Sequence, residues 1–227
     1  RMKQFGGWYF PDHEQHLLEW MRNVNDVADG RQRYQGTKQL AALSYCKQFR
    51  TAVDVGAHIG LWSYYLAKRF ETVHAFEPVA DHRQCFEINM AGLPVRLHPC
   101  ALGDENASVS IHTSHTSSGD SWVNGDGDIP MRCLDDFDLQ DVDFIKIDCE
   151  GWELRVIQGA RDTIARCRPV IIVEQKSGRA QKFGLPETGA VQELEAMGAV
   201  LQRQISGDYI MTFEGARQWP NQYITTC

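Results

Sequence analysis

Apolar positions change their spacing along the chain. Between residues 12 and 50 they recur every three or four residues, the period of an amphipathic helix. Pro11-Asp12 followed by Gln15 has capping-box spacing, with Asp12 as the cap. Behind it Leu17, Trp20, Met21, Val24 and Val27 form one stripe, Glu19, Arg22, Asn23 and Asp26 fill the other face, and Gly30 ends the segment. A second helix is predicted from about Tyr34 to Phe49, on Leu40, Ala41, Leu43 and Tyr45.

From residue 51 short apolar runs alternate with helical stretches. Strands are predicted at 51–55, 72–77, 95–98, 143–148 and 169–174, with helices at 61–70, 81–90, 152–165 and 187–197. That alternation argues a parallel sheet with helices on both faces. The last two strands, 199–205 and 209–213, are joined by Ser206-Gly207-Asp208. So short a connection cannot make a parallel crossover, so the pair closes the sheet as an antiparallel hairpin. Short strands are expected at 108–111 and 130–134. Between them His112 to Asp128 reads as a long polar, Gly-rich loop, and such loops are usually functional or disordered.

Composition narrows the class. The 227 residues suit one large domain, with 1–50 as a helical cover and 51–227 as the main body. A net charge of -7 with no Lys/Arg block argues against nucleic acid as a partner. No apolar run approaches the roughly 18 residues of a membrane span. Seven scattered cysteines lack any C-x-x-C spacing, so neither a disulfide framework nor a zinc ribbon is expected. Together these point to a soluble, cytoplasmic chain with no membrane partner.

Three segments carry candidate chemistry. Asp54-Val55-Gly56-Ala57-His58-Ile59-Gly60 lies at a strand-to-helix turn, where glycines permit a tight turn and close helix approach. Its G-x-x-x-G spacing is neither the dinucleotide fingerprint nor the phosphate loop. Glu77 ends the next strand, 23 residues after Asp54, where a carboxylate can accept from ribose hydroxyls. A ligand with a ribose but no pyrophosphate fits; S-adenosylmethionine is one, and Asp54 could contact its amino-acid end. The third segment runs from Phe144 to Glu153, where Lys146, Asp148 and Glu150 alternate and share one side of the chain. Glu174, ending the following strand, could approach the same cluster. Asp148, Glu150 and Glu174 offer hard oxygen ligands, but the spacing demands no metal.

D-V-G-A-H-I-G, H-A-F-E-P, C-A-L-G-D at Cys100 to Asp104 and F-I-K-I-D-C-E-G-W-E together resemble the FkbM family of S-adenosylmethionine-dependent methyltransferases. The resemblance covers about residues 50 to 175. A parallel sheet closed by a hairpin is also the layout of the class I (Rossmann-like) methyltransferase fold, α/β with seven strands, here with N-terminal helices added. The resemblance implies O-methylation of a small-molecule, sugar or glycan-like acceptor. It implies that Asp54, Gly56 and Gly60, with Ala57 and His58 in the same turn, line the methionine side. By the same resemblance Glu77 holds the ribose, Ala101 and Leu102 border the adenine with Asp104 near by, and Asp148 and Glu150 face the transferred methyl. Asp148 or Glu150 is the candidate base, with Lys146 setting their charge balance. His58 is a further candidate base; His112 and His115 could reach the acceptor, and Trp122 could cap the site. Two departures stand out: His58 where the family often has Asn, and Trp152 where another residue is common. Alternatives are a nucleic-acid or protein methyltransferase, or a non-catalytic module that binds the same cofactor.

Overall fold

The computed structural model describes residues 2–23, 25–113 and 119–213. The chain begins with a hairpin, β1 (Met2–Phe5) and β2 (Trp8–Pro11), turned at Gly6-Gly7. Both glycines have positive φ, as a tight two-residue hairpin requires. Helix α1 (His16–Arg22) follows, then a second small hairpin of β3 (Val27–Ala28) and β4 (Arg31–Gln32), and α2 (Gly36–Leu43).

The N-terminal cover is therefore only partly helical. Val27 belongs to a strand, because Asp29-Gly30, with φ of 53° and 75°, makes a hairpin turn where a helix end was expected. Asp12 is not the cap. The helix starts four residues later, and the buried Glu14 accepts the Leu17 amide hydrogen at 2.7 Å. Val24 lies outside the described residues.

The main body supplies β5 (Thr51–Val55), α3 (Ser63–Ala67), β6 (Thr72–Phe76), α4 (Ala80–Asn89), β7 (Val95–His98) and β8 (Ala101–Leu102). It continues with β9 (Ala107–His112), β10 (Trp122–Asp126), β11 (Ile129–Arg132) and β12 (Val142–Ile147). Then come α5 (Glu153–Gln158), α6 (Arg161–Cys167), β13 (Val170–Glu174), α7 (Gly189–Ala196), β14 (Ala199–Ile205) and β15 (Asp208–Phe213). Seven strands form one sheet in the order β14-β15-β13-β12-β5-β6-β7. The five from β13 to β7 are parallel, and β15 runs antiparallel to both its neighbours. This is the expected class I methyltransferase sheet with its closing hairpin.

Two expectations about the middle of the chain change. The 112–128 stretch contains β10, which joins β9, β11 and β8 in a second sheet of order β10-β9-β11-β8. Only Trp122 and Val123, side by side, are apolar and every residue is half or fully exposed, so no apolar alternation marked it. The helix expected over 152–165 is two helices broken at Gly159-Ala160. A Cβ at Gly159 would collide with the backbone oxygen of Gly103, and the Asp135 carboxylate accepts the Asp162 and Thr163 amides that open α6.

The sheet is packed on both faces. Val53, Val55, Ile145, Ile147, Ile171 and Val173 meet α5, α6 and α7 on one side, and Ala52, Phe144 and Ile172 meet α2 and α3 on the other. Trp8, Phe10, Leu18 and Met21 of the cover share a cluster with Ile59, Tyr64 and Phe86. Among the described residues no helix is long and apolar enough to cross a membrane, and the six described cysteines are free.

Candidate functional site

The sheet reverses its strand order between β5 and β12, since β6 and β7 lie to one side of β5 and the later strands to the other. The crevice outside the carboxyl ends at such a reversal is where open α/β sheets bind ligands. A cavity of about 240 Å³ opens there, bordered by the turn after β5, Glu77 after β6, the segment after β12 and Glu174 at the end of β13.

The glycine turn is locked from behind. Gly56, with φ of 73°, has no room for a side chain: a Cβ would strike the backbone oxygen of Asp148. The Gly56 and Ala57 amides both donate to the Phe76 carbonyl at 3.1 Å. Register pairs Lys146 with Asp54, and the buried Lys146 ammonium donates to the Gly56 carbonyl at 2.8 Å and the Val55 carbonyl at 3.3 Å. It also lies 3.3 Å from Asp54 and 4.0 Å from Asp148. Burial would lower its pKa, yet Asp54 and Asp148 outweigh burial and raise it, so Lys146 stays charged. Asp54 is wholly buried and accepts from Ser63 Oγ at 2.6 Å. Gly60 backs onto Met90, 2.6 Å from where its Cβ would stand. Gly56, Ala57 and His58 border the cavity; Asp54 and Gly60 are not among its lining residues.

Glu77 faces the cavity with its carboxylate engaged. It accepts from the His58 amide at 2.7 Å, the Val79 amide at 2.9 Å and His82 Nδ1 at 3.0 Å. Burial opposes its ionisation, but His82 and the two amides prevail and hold its pKa below the usual carboxylate value. The His58 ring packs edge-on to His82, and burial, then the charges of His82 and Lys146, push its pKa well down. It is a neutral imidazole at neutral pH. Ala101 and Leu102 line the cavity, as do Phe76 and Ile111. Asp104 stands apart, paired with Arg155 at 2.6 Å.

Beyond the turn three carboxylates converge: oxygens of Asp148, Glu150 and Glu174 lie within 4.8 Å of one another. Each is faced by a cation of the chain, Lys146 for Asp148, Arg179 for Glu150 and Lys176, at 2.5 Å, for Glu174. Burial and then Asp148 push Glu150 up to about 7, against Arg179 and Lys176. The same two causes push Glu174 up to about 9. Crowded carboxylates thus share fewer negative charges than their number suggests.

Sequence reasoning missed several of these groups. Glu153 shapes the cluster by accepting the Cys149 and Gly151 amides at 2.9 and 3.0 Å, holding Glu150 at φ of 56°. Its only sequence signal is a carboxylate two residues past a glycine. His82 stands five residues after Glu77, on the first turn of the next helix. Arg179 reaches Glu150 and also Asp120, at 3.1 Å, on the segment leading into β10. Tyr34 brings the cover to the cavity wall. Trp122 lines the cavity, stacked on His112 at 4.0 Å with Lys182 Nζ 4.1 Å from its ring centre. His115 lies outside the described residues.

Fold and site together define a methyltransferase-type α/β domain of class I. Residues 54–203 match the methyltransferase FkbM domain, and the chain belongs to that family. It is 26% identical over 146 residues to "Methyltransferase 1" of Beauveria bassiana, covering 48% of this chain and 58% of that one. The methyltransferase FkbM of Methylobacillus flagellatus superposes with a TM-score of 0.50 at 22% identity, over 73% of this chain and 43% of that chain. A Streptococcus mutans protein solved in complex with SAH gives a TM-score of 0.50 at 9% identity, over 79% and 96%. The chain thus spans about half the length of its two FkbM or methyltransferase relatives, 58% and 43%.

Proposed function

We propose that this chain transfers a methyl group from S-adenosylmethionine to a hydroxyl of a small-molecule, sugar or glycan-like acceptor. When bound, that cofactor supplies an electrophilic methyl and its own leaving group. The residues present fit it. Gly56 and Ala57 keep the turn that borders the cavity free of bulk, and the carboxylates of Glu77 and Asp148, lining the same cavity, would face the ribose and the sulfonium.

In this reading Gly56, Ala57 and His58 take the methionine half, Glu77 the ribose, and Ala101 and Leu102 the adenine. Asp54, Gly60 and Lys146 hold the turn from behind. Asp148 and Glu150 face the acceptor, and Glu150 receives its proton. Arg179 orients Glu150 and moderates the rise of its pKa. The observation that carries the reading is the meeting, in one cavity, of the glycine turn, Glu77 and a carboxylate poised near neutrality. Residues 1–50 belong to the same domain as 51–227, and the protein works in the cytoplasm.

The deciding experiment is a screen for S-adenosylhomocysteine release across sugars, polyketide-like hydroxyls, peptides and nucleic acids. Turnover with hydroxylated small molecules or sugars supports the proposal. Turnover confined to peptides or nucleic acids replaces the acceptor assignment, and cofactor binding with no turnover on any class identifies a binding module.

A further inference from the structure

Glu77 is held by three donors, and one of them is a side chain with no part in the reading above. Oε2 accepts from the His58 amide at 2.7 Å, and Oε1 from the Val79 amide at 2.9 Å and His82 Nδ1 at 3.0 Å. An ionised carboxylate offers about four lone-pair positions. Three are taken, and the fourth lies on Oε2. The two amides are fixed by the backbone on either side of the carboxylate. Only His82 grips it from the adjoining helix, and that ring is 2% exposed, borders the cavity and is wedged edge-on against His58 at 4.5 Å.

We propose that His82 is the positioning residue for Glu77: it fixes the rotation of the carboxylate so that the unfilled position on Oε2 faces the ribose of a bound nucleoside. This rests on reading Glu77 as the ribose acceptor. A carboxylate at the end of a flexible side chain turns about its last bond within whatever range its hydrogen bonds allow. With His82 gone, each oxygen keeps a single backbone amide, Val79 on Oε1 and His58 on Oε2, and the carboxylate loses the side-chain donor that narrows its remaining rotation. The cost falls on the ligand, because an ill-aimed acceptor makes a poor hydrogen bond.

The test is calorimetric titration of the full chain with S-adenosylhomocysteine and with its 2′,3′-dideoxyribose counterpart. His82→Ala is expected to weaken S-adenosylhomocysteine binding about tenfold, the loss of one hydrogen bond to a charged group. The same change should barely affect the dideoxy ligand. His82→Asn carries its amide nitrogen near the place of Nδ1, and should recover wild-type preference for the diol even if the alanine variant does not fold. Equal weakening for both ligands, unchanged binding of both, or a folded His82→Asn that has lost the preference would each overturn the proposal. Glu77→Ala separates the two levels. If it binds S-adenosylhomocysteine as tightly as wild type, the ribose assignment itself falls. If Glu77 matters and His82 does not, only the positioning role falls.

Discussion

Glu150 and Glu153 lie three residues apart and are both pushed up to about 7, yet they do different work. Glu150 borders the cavity, whereas Glu153 is 1% exposed and spends Oε1 on two backbone amides. For Glu150 the expected outcome is a methyl-transfer rate that climbs with pH through about 7, as the carboxyl loses its proton. Glu150→Gln should remove that limb and lower turnover about 10²–10⁴-fold; a variant with the wild-type pH profile would exclude it as the base. For Glu153 the effect is on stability. A carboxyl whose folded pKa exceeds its unfolded value favours the protonated folded state, so its contribution is present below about pH 4.5 and is lost as pH rises toward 7. The difference amounts to at most about 3 kcal/mol, at about 1.4 kcal/mol per pKa unit. Glu153→Gln can still accept both amides, and its Tm relative to wild type should therefore rise between pH 4.5 and 8. A constant difference across that range would refute the linkage.

At the scale of elements, the turn after β5 and the segment after β12 act as one unit. Lys146 ties them with hydrogen bonds to the Val55 and Gly56 carbonyls, and the Asp148 backbone oxygen fills the space a side chain at position 56 would need. Gly56→Ala must strain a φ of 73° and push the β12 segment aside. The expected result is a loss of about 1–3 kcal/mol in stability, together with loss of S-adenosylhomocysteine binding by titration. The strands of the large sheet were legible because buried parallel strands are continuous apolar runs such as the one from Val170 to Val173, needing no partner to be recognised. The cover and β10 were not. Helical spacing over Leu17 to Val27 overrode the Asp29-Gly30 turn signal, and β10 earns its place through pairing with β9, not through an apolar face.

For the molecule as a whole, the cover and the main body share one apolar cluster. Trp8 and Phe10 are fully buried against Tyr64 and Phe86, and Asn89 of α4 exchanges hydrogen bonds with the backbone of Tyr9. Trp8→Ala should cost about 3–5 kcal/mol and shift a single urea transition without splitting it; two separate transitions would make the cover an independent unit. By itself the sequence determined the α/β class, the parallel strands, the closing hairpin and the candidates Gly56, Glu77, Lys146, Asp148, Glu150 and Glu174, because each is written in local spacing, whereas no such spacing singled out His82, Glu153 and Arg179. Only the tertiary structure decided which of those residues face one another. Register set Lys146 beside Asp54 and behind the turn, and the converging strand ends brought Asp148, Glu150 and Glu174 within 4.8 Å. The raised proton affinities of Glu150 and Glu174 follow from burial and from the nearby Asp148, and only the fold brings Glu174 to the other two.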